Sequence, residues 1–467
     1  MMDGPAATDL PRVLARLDDD LDGALERLFD LLRCQSISTD PAFAAECQKA
    51  AEWLAADLGS IGFDARVAPT AGHPIVVGHH PGPQGAPHVL FYGHYDVQPV
   101  DPIELWDTDP FAPRIETRAD GSRKIVGRGT SDDKGQLMTF VEACRALKSV
   151  TGALPCAVTV LIEGEEESGG ANLPPFLEEH AETLKADIAI VCDTGMWDRE
   201  TPAITTMLRG MVGAEITVKA ASRDLHSGFY GGAAANPIHI LTRALAGLHD
   251  DQGRITLPGF YDGVPEIPAD VRAQWDALGF SDEAFLGEIG LSHPAGERGM
   301  NAMYLTWARP TCEVNGIWGG YTGAGFKTVI PAEAHAKVSF RLVGSQDPEQ
   351  VRAAFEAQIK AAIPADCSVS FQPKPGAPGT VMPLTDPAFE TARQALSEEW
   401  GKEAAFIGCG GSIPVVGELK SKLGMDTLLI GFGLEDDAIH SPNEKYELTS
   451  FAKGARSFAR VLTALGG

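Results

Sequence analysis

No two of the eight cysteines stand as C-x-x-C; they are Cys34, Cys47, Cys144, Cys156, Cys192, Cys312, Cys367 and Cys409. That spacing argues against a thiolate zinc site and against a disulfide framework. A reducing, cytoplasmic compartment is expected. No apolar run approaches the ~20 residues that span a bilayer, so no membrane partner is expected. The N-terminal stretch has no basic start leading into an apolar core, which speaks against a secretory leader. Basic residues are scarce: 38 Lys and Arg stand against 64 Asp and Glu, a formal net charge of −26. Nucleic-acid binding needs Lys and Arg against phosphates, so no nucleic-acid partner is expected. Internal repeats and low-complexity segments are also missing.

What is present is an ordinary globular composition, with 44% apolar and 22% charged residues. The 467 residues exceed one hydrophobic core at ~100–200 residues per domain. Apolar residues at three- and four-residue spacing predict an amphipathic helix over 10–32. Apolar runs then alternate with helices: "PIVVGHH", "HVLFYGHYDV", "AVTVLIEGEEE" and "DIAIVCD". That alternation predicts an α/β domain, its mostly parallel sheet covered by helices on both faces. After residue 211 the pattern becomes β-α-β-β-α-β, the order of a ferredoxin-like α+β domain. Its strands are expected at "MVGAEITVKA", near "MYLTWARPTCEV", at "AHAKVSFRLV" and at "CSVSFQ". A Pro/Gly-rich stretch, "QPKPGAPGTVMP", reads as a linker. The expected domains are a catalytic domain formed by 1–211 and 382–467, with 212–381 inserted.

Polar residues cluster after the buried runs. "HVLFYG" leads to His94 and Asp96, "VTVLIEG" to Glu165, Glu166 and Glu167, and "IAIVC" to Asp193. "TLLIGFG" leads to Glu435, Asp436, Asp437 and His440, while Asp132 and Asp133 stand just before a helix. Ligands of open α/β sheets bind outside the carboxyl ends of the strands. So many carboxylates on one rim repel each other unless cations neutralise them. Imidazole with carboxylate suits zinc, manganese or cobalt. Two ions sharing one carboxylate activate water and polarise a carbonyl, with one glutamate left off the metals as base. Each element alone has an ordinary explanation: a hydrogen-bonded histidine, a solvated acidic run, a helix-capping aspartate. None of these explanations correlates polar residues with strand ends.

At these residues the sequence resembles the dinuclear metallopeptidases that include carnosinase, cytosolic non-specific dipeptidase, acetylornithine deacetylase and succinyl-diaminopimelate desuccinylase. The likeness rests on "YGHYDVQP", "GRGTSDDKG", "EGEEESGG", "DLHSGFYGG", "KTVIP", "GGSIPV" and "HSPNEK" in that order. It implies that His94 and Asp193 bind one ion, Glu167 and His440 the other, and that Asp132 bridges them. Asp96 would orient His94, Glu166 would be the general base, and the peptide after Asp132 would be strained and cis. The insertion would be a lid and dimerisation domain whose His226 reaches the partner's site and stabilises the oxyanion. Arg341 would hold the substrate carboxylate, with Thr328 and Ser412 as further substrate contacts. A homodimer and two divalent ions per subunit, zinc or manganese, are implied. One feature departs from the dipeptidase branch: "GCGGSIP" puts Cys409 and Gly410 where an acid that meets the substrate amine is usual.

The reading is a metal-dependent dipeptidase acting on small peptides. An N-acyl amino-acid amidohydrolase is the alternative, favoured by Cys409. A non-catalytic binding protein on the same scaffold is a third, against which the intact ligand and base set argues.

Overall fold

The computed structural model describes residues 5–467. Contacts divide the chain into two units: residues up to Thr206 with Met382–Ile407 and Glu418–Gly467, and Met207–Val381 with Gly408–Gly417. Residues 207–211 and 408–417 thus group with the second unit, although sequence texture places them in the catalytic part. Direct bonds explain it: Arg209 N donates to Gly411 O at 3.1 Å and Arg209 Nε to Gly410 O at 2.9 Å.

The first unit is built on a mixed sheet with a parallel centre. The strand Ala157–Glu163 pairs in parallel with His88–His94, that strand with Ile188–Val191, and that one with Thr427–Leu429. Antiparallel strands flank them: Ile75–His80 and Asp64–Ala68 on one side, Ala203–Leu208 on the other. Residues 158–162 are all buried, as a strand covered on both faces requires. Register aligns the parallel strands at their carboxyl ends: His94 lies opposite Glu163, Tyr92 opposite Val191, and Leu429 opposite Val191. The helices Lys134–Thr151 and Leu448–Leu465 pin this centre through aromatic rings. Phe91 stacks on Phe140 at 3.8 Å between centroids, and Phe458 meets Phe140 edge-on at 5.4 Å. Because His94 ends Phe91's strand and Asp132 precedes Phe140's helix, that packing sets the two site residues relative to each other.

Three sequence expectations change. The helix expected over 10–32 is two, Pro5–Asp19 and Leu21–Leu32. The acids Asp18, Asp19, Asp20 and Asp22 explain the break, since carboxylates are unfavourable at a helix C-terminus and favourable at the next N-terminus. A small antiparallel sheet of Arg114–Thr117, Arg123–Val126 and Lys445–Glu447 also forms, without an obvious sequence signal.

In the second unit, the strand order is Thr311–Gly319, Glu333–Leu342, Gly210–Lys219, Ser368–Ala377, all antiparallel. Helices Pro237–Ala246 and Pro348–Ala361 bury Leu241, Phe355 and Ile359 against its inner face. This is the ferredoxin-like arrangement, with short helices inserted before its second strand. "MYLTW", expected in a strand, lies instead in the helix Ala302–Trp307, because Asn301 caps it by accepting from Tyr304 N at 2.9 Å. The Pro/Gly stretch expected as linker continues the strand Ser368–Ala377. Pro373 and Pro375 are tolerated because this is an edge strand, and a register shift follows Lys374.

Candidate metal centre

The aligned strand ends deliver their side chains to one rim of the first unit. His94 is the last residue of its strand, and Asp193 stands two residues beyond Val191. Glu166 and Glu167 form a single helical turn just past Glu163. Asp132 lies before the helix Lys134–Thr151, across a cis peptide to Asp133. His440 comes from the loop after Thr427–Leu429, with a left-handed φ of 61°.

Two groups of potential ligands result: His94, Asp132 and Asp193, and Asp132, Glu167 and His440. Asp132 turns one oxygen to each histidine. Its Oδ1 is 3.0 Å from His94 Nε2, and its Oδ2 is 2.9 Å from His440 Nε2. Glu167 Oε2 is 3.2 Å from His440 Nε2, and Asp193 Oδ2 is 3.9 Å from His94 Nε2. His94 is fully buried, yet its Nε2 has no hydrogen-bond partner of acceptable geometry among the described residues. A buried ring nitrogen facing two carboxylates without a proper hydrogen bond is the arrangement a candidate cation site presents. The donors fit zinc or manganese.

The electrostatics agree. Burial pushes Asp193 up, with Asp132 adding to it. Burial also pushes Asp132 up, but the imidazoles of His440 and His94 outweigh it and hold it below the usual range. His440 is raised to about 10 by Asp132 and Glu167. Burial raises the Glu166 carboxyl, and Glu167, Asp132 and Asp96 add to it against His94. Glu166 belongs to neither ligand group.

Neighbouring groups fix this geometry. Asp96 sits with Oδ1 3.4 Å from His94 Nδ1 and accepts the amides of Glu166 at 3.3 Å and Glu167 at 3.0 Å. One carboxylate thereby orients both a candidate ligand, His94, and the turn that carries Glu166. Asp133 takes the N-cap position but caps nothing with its side chain. It accepts instead from His94 N at 3.1 Å and Cys192 Sγ at 3.5 Å. Gln98 Nε2 donates to Glu167 Oε2 at 2.8 Å. The spacing arguments miss Gln98 and give Asp133 no role beyond standing before a helix; the further signal of each is membership of "YGHYDVQP" and "SDDKG". Glu165 is held away from the ligand groups by His73 N at 3.0 Å and Asn172 Nδ2 at 2.6 Å. Asp437 is buried on Ser131, Leu434 N and Lys445. Neither is available as the acid displaced by Cys409.

The remaining expected site residues lie in the second unit. His226 is exposed, and its Nδ1 accepts from Gly228 N at 2.9 Å. That bond leaves the ring proton on Nε2, which is then a donor. Thr328 is beside it, its carbonyl accepting from Ser227 N at 3.1 Å. Arg341 faces outward between the buried Phe340 and Leu342, and its Nη1 donates to Ser412 Oγ at 2.9 Å.

Imidazole and carboxylate triads on a parallel-sheet rim, with an unliganded glutamate beside them, define a metal-dependent hydrolase. Residues 90–464 match the family described as peptidase family M20/M25/M40, and the chain belongs to it. It is 28% identical over 471 residues to the Cys-Gly metallodipeptidase dug1 of Schizosaccharomyces pombe, covering 98% of each protein. It is 29% identical over 384 residues to the Beta-Ala-His dipeptidase of Homo sapiens, covering 79% of this chain and 73% of that protein. The solved structure of the di-peptidase Dug1p from Saccharomyces cerevisiae superposes with a TM-score of 0.79 at 26% identity, covering 98% of both chains.

Proposed function

We propose that this protein is a dipeptidase that holds two divalent ions, zinc by preference with manganese accepted by the same donors. The observation that carries the reading is Asp132, which presents separate oxygens to His94 and His440 with Glu166 unliganded beside them. When bound, such ions supply a water of lowered pKa and a Lewis acid for the amide carbonyl. Glu166 takes the proton of the attacking water and hands it to the leaving amine; a raised carboxyl suits it to both transfers. Asp96 keeps that turn and His94 in register. Arg341, aided by Ser412 and Thr328, receives the substrate's terminal carboxylate, for which a guanidinium fork is well matched.

His226 of the partner subunit donates Nε2–H to the oxyanion. A homodimer is supported by the edge strand Thr311–Gly319, where Val314, Ile317 and Trp318 are 44%, 51% and 41% exposed. Exposed apolar edge strands are usually covered by another chain. A cytoplasmic setting is supported by the cysteines, among which no disulfide forms in the described residues, and no described helix is long and apolar enough to cross a membrane. Replacing Glu166 by Ala is expected to lower kcat by about 10²–10⁴-fold while bound metal, read by elemental analysis, stays unchanged. Near-wild-type turnover would sink the assignment of the base.

A further inference from the structure

Arg128 and Glu444 form a buried ion pair whose side chains are 1% and 0% exposed, with Arg128 Nη1 donating to Glu444 Oε2 at 2.8 Å. The same carboxylate accepts three backbone amides of one loop. Gly129 N reaches Oε2 at 2.9 Å; Ser131 N and Asp132 N reach Oε1 at 2.9 and 3.1 Å. A buried carboxylate with four donors is held firmly and holds its donors in turn. The small sheet explains the meeting: Lys445 pairs with Val126, so the residue before Lys445 lies against the loop leaving Val126. Gly127 N also donates to Glu444 O at 3.1 Å.

Further bonds extend from this pair. Ser131 Oγ donates to Asp437 Oδ2 at 2.7 Å, tying the Asp132 loop to the His440 loop a second time. Arg128 Nη2 donates to Pro99 O at 3.0 Å, next to Gln98, which holds Glu167. The three members of one ligand group, Asp132, His440 and Glu167, therefore ride on segments joined by one buried pair. The other group's private members are tied elsewhere, through Asp133 to His94 N and to Cys192 beside Asp193.

We infer that Glu444, paired with Arg128, is the positioning residue of the Asp132–Glu167–His440 metal site, setting Asp132 against His440 and Glu167 before an ion arrives. The need is local: His440 is 52% exposed and has a left-handed backbone, so packing on its own side chain does little to fix it. The inference rests on the two-ion reading above.

Metal-stripped wild type, Glu444→Gln, and the double variant Arg128→Met with Glu444→Met are titrated with Zn²⁺ by calorimetry, with thermal unfolding as a check on folding. Gln turns an NH₂ toward amide donors and leaves Arg128 without its counter-charge. Its affinity for one of two ions should fall roughly 10–100-fold, the usual effect of losing an outer-shell partner, while the other ion, which shares only Asp132 with that site, should weaken by a much smaller factor. The double variant removes both buried charges and so leaves neither unpaired, but it offers the three amides no acceptor; the same selective loss is expected in the folded protein. Equal weakening of both ions, or two wild-type affinities in a folded variant, would overturn the inference. Hydrogen exchange on metal-free wild type is a check that needs no variant: slow exchange at Gly129, Ser131 and Asp132 is expected, and open-loop rates would overturn it. Absence of a second binding event in wild type would overturn the two-ion reading itself.

Discussion

At the scale of single residues, the candidate site is held together by acids that are shared rather than duplicated. Asp132 serves two histidines, Asp96 serves a histidine and a turn, and Asp133 serves two strand ends. The candidate ligands could be picked out in the sequence, because each follows a buried run or opens a helix. The contacts of Gln98, Asp133 and Glu444 could not, because their partners lie 69, 39 and 312 residues away and only the fold brings them together. One residue of the small antiparallel sheet reports on pH. Burial pushes Glu447 up, but Arg118, Arg199 and Lys445 outweigh it and draw it from 4.5 to about 2. A carboxyl depressed by folding stabilises above its unfolded pKa, and that contribution is lost as pH falls toward the folded value. Metal-free wild type should therefore exceed Glu447→Gln in stability at pH 6, with the gap closing between about pH 4.5 and 2. Denaturant melts at stepped pH measure this; parallel curves would contradict it.

At the scale of elements, the strands were readable from their apolar runs, and the exceptions have physical causes. An acidic cluster split one helix, an asparagine cap turned an expected strand into a helix, and an edge position let a Pro-rich stretch stay in a sheet. The motif glycines are element-scale features too. A Cβ on Gly135 would lie 1.8 Å from the Thr130 carbonyl oxygen, and one on Gly164 would lie 2.1 Å from Tyr95 Oη. The first collision is with backbone, so no side-chain rotation relieves it. Gly135→Ala should lower stability by about 1–3 kcal/mol, the range for overpacking, and lower metal content by displacing the Asp132 loop. Gly59, in the helix Ala44–Ile61, has nothing within 4 Å among the described residues. Gly59→Ala should stabilise slightly, by about 0.5–1 kcal/mol. Unfolding curves with metal analysis compare the two; an unaffected Gly135→Ala would refute the close-approach account.

At the scale of the whole molecule, the proposed metal ligands and base belong to the first unit, while His226, Thr328, Arg341 and Ser412 belong to the second. The proposed trans role of His226 makes a specific claim about assembly. His226→Ala and Glu166→Ala proteins should each be inactive alone. In a two-fold dimer, random exchange makes half the dimers mixed, each with one site holding both residues. Activity should return to about a quarter of wild type per chain after subunit exchange. No recovery, with exchange confirmed by a mass tag, would place His226 in its own subunit's site or outside the chemistry. The order of the seven motifs made the family legible in the sequence. The β-bulged edge strand and the regrouping of residues 408–417 were not, because both depend on pairings that only the folded chain makes.

The most direct test is hydrolysis of Ala-Ala, Cys-Gly, β-Ala-His, N-acetyl-Ala and N-succinyl-Lys by full-length protein loaded with zinc or with manganese, each run with and without chelator. The account predicts cleavage of the free dipeptides, its loss with chelator, and no cleavage of the N-acylated compounds. Cleavage of the N-acylated compounds alone would contradict it and would make Cys409 the mark of a deacylase built on the same ligands and base.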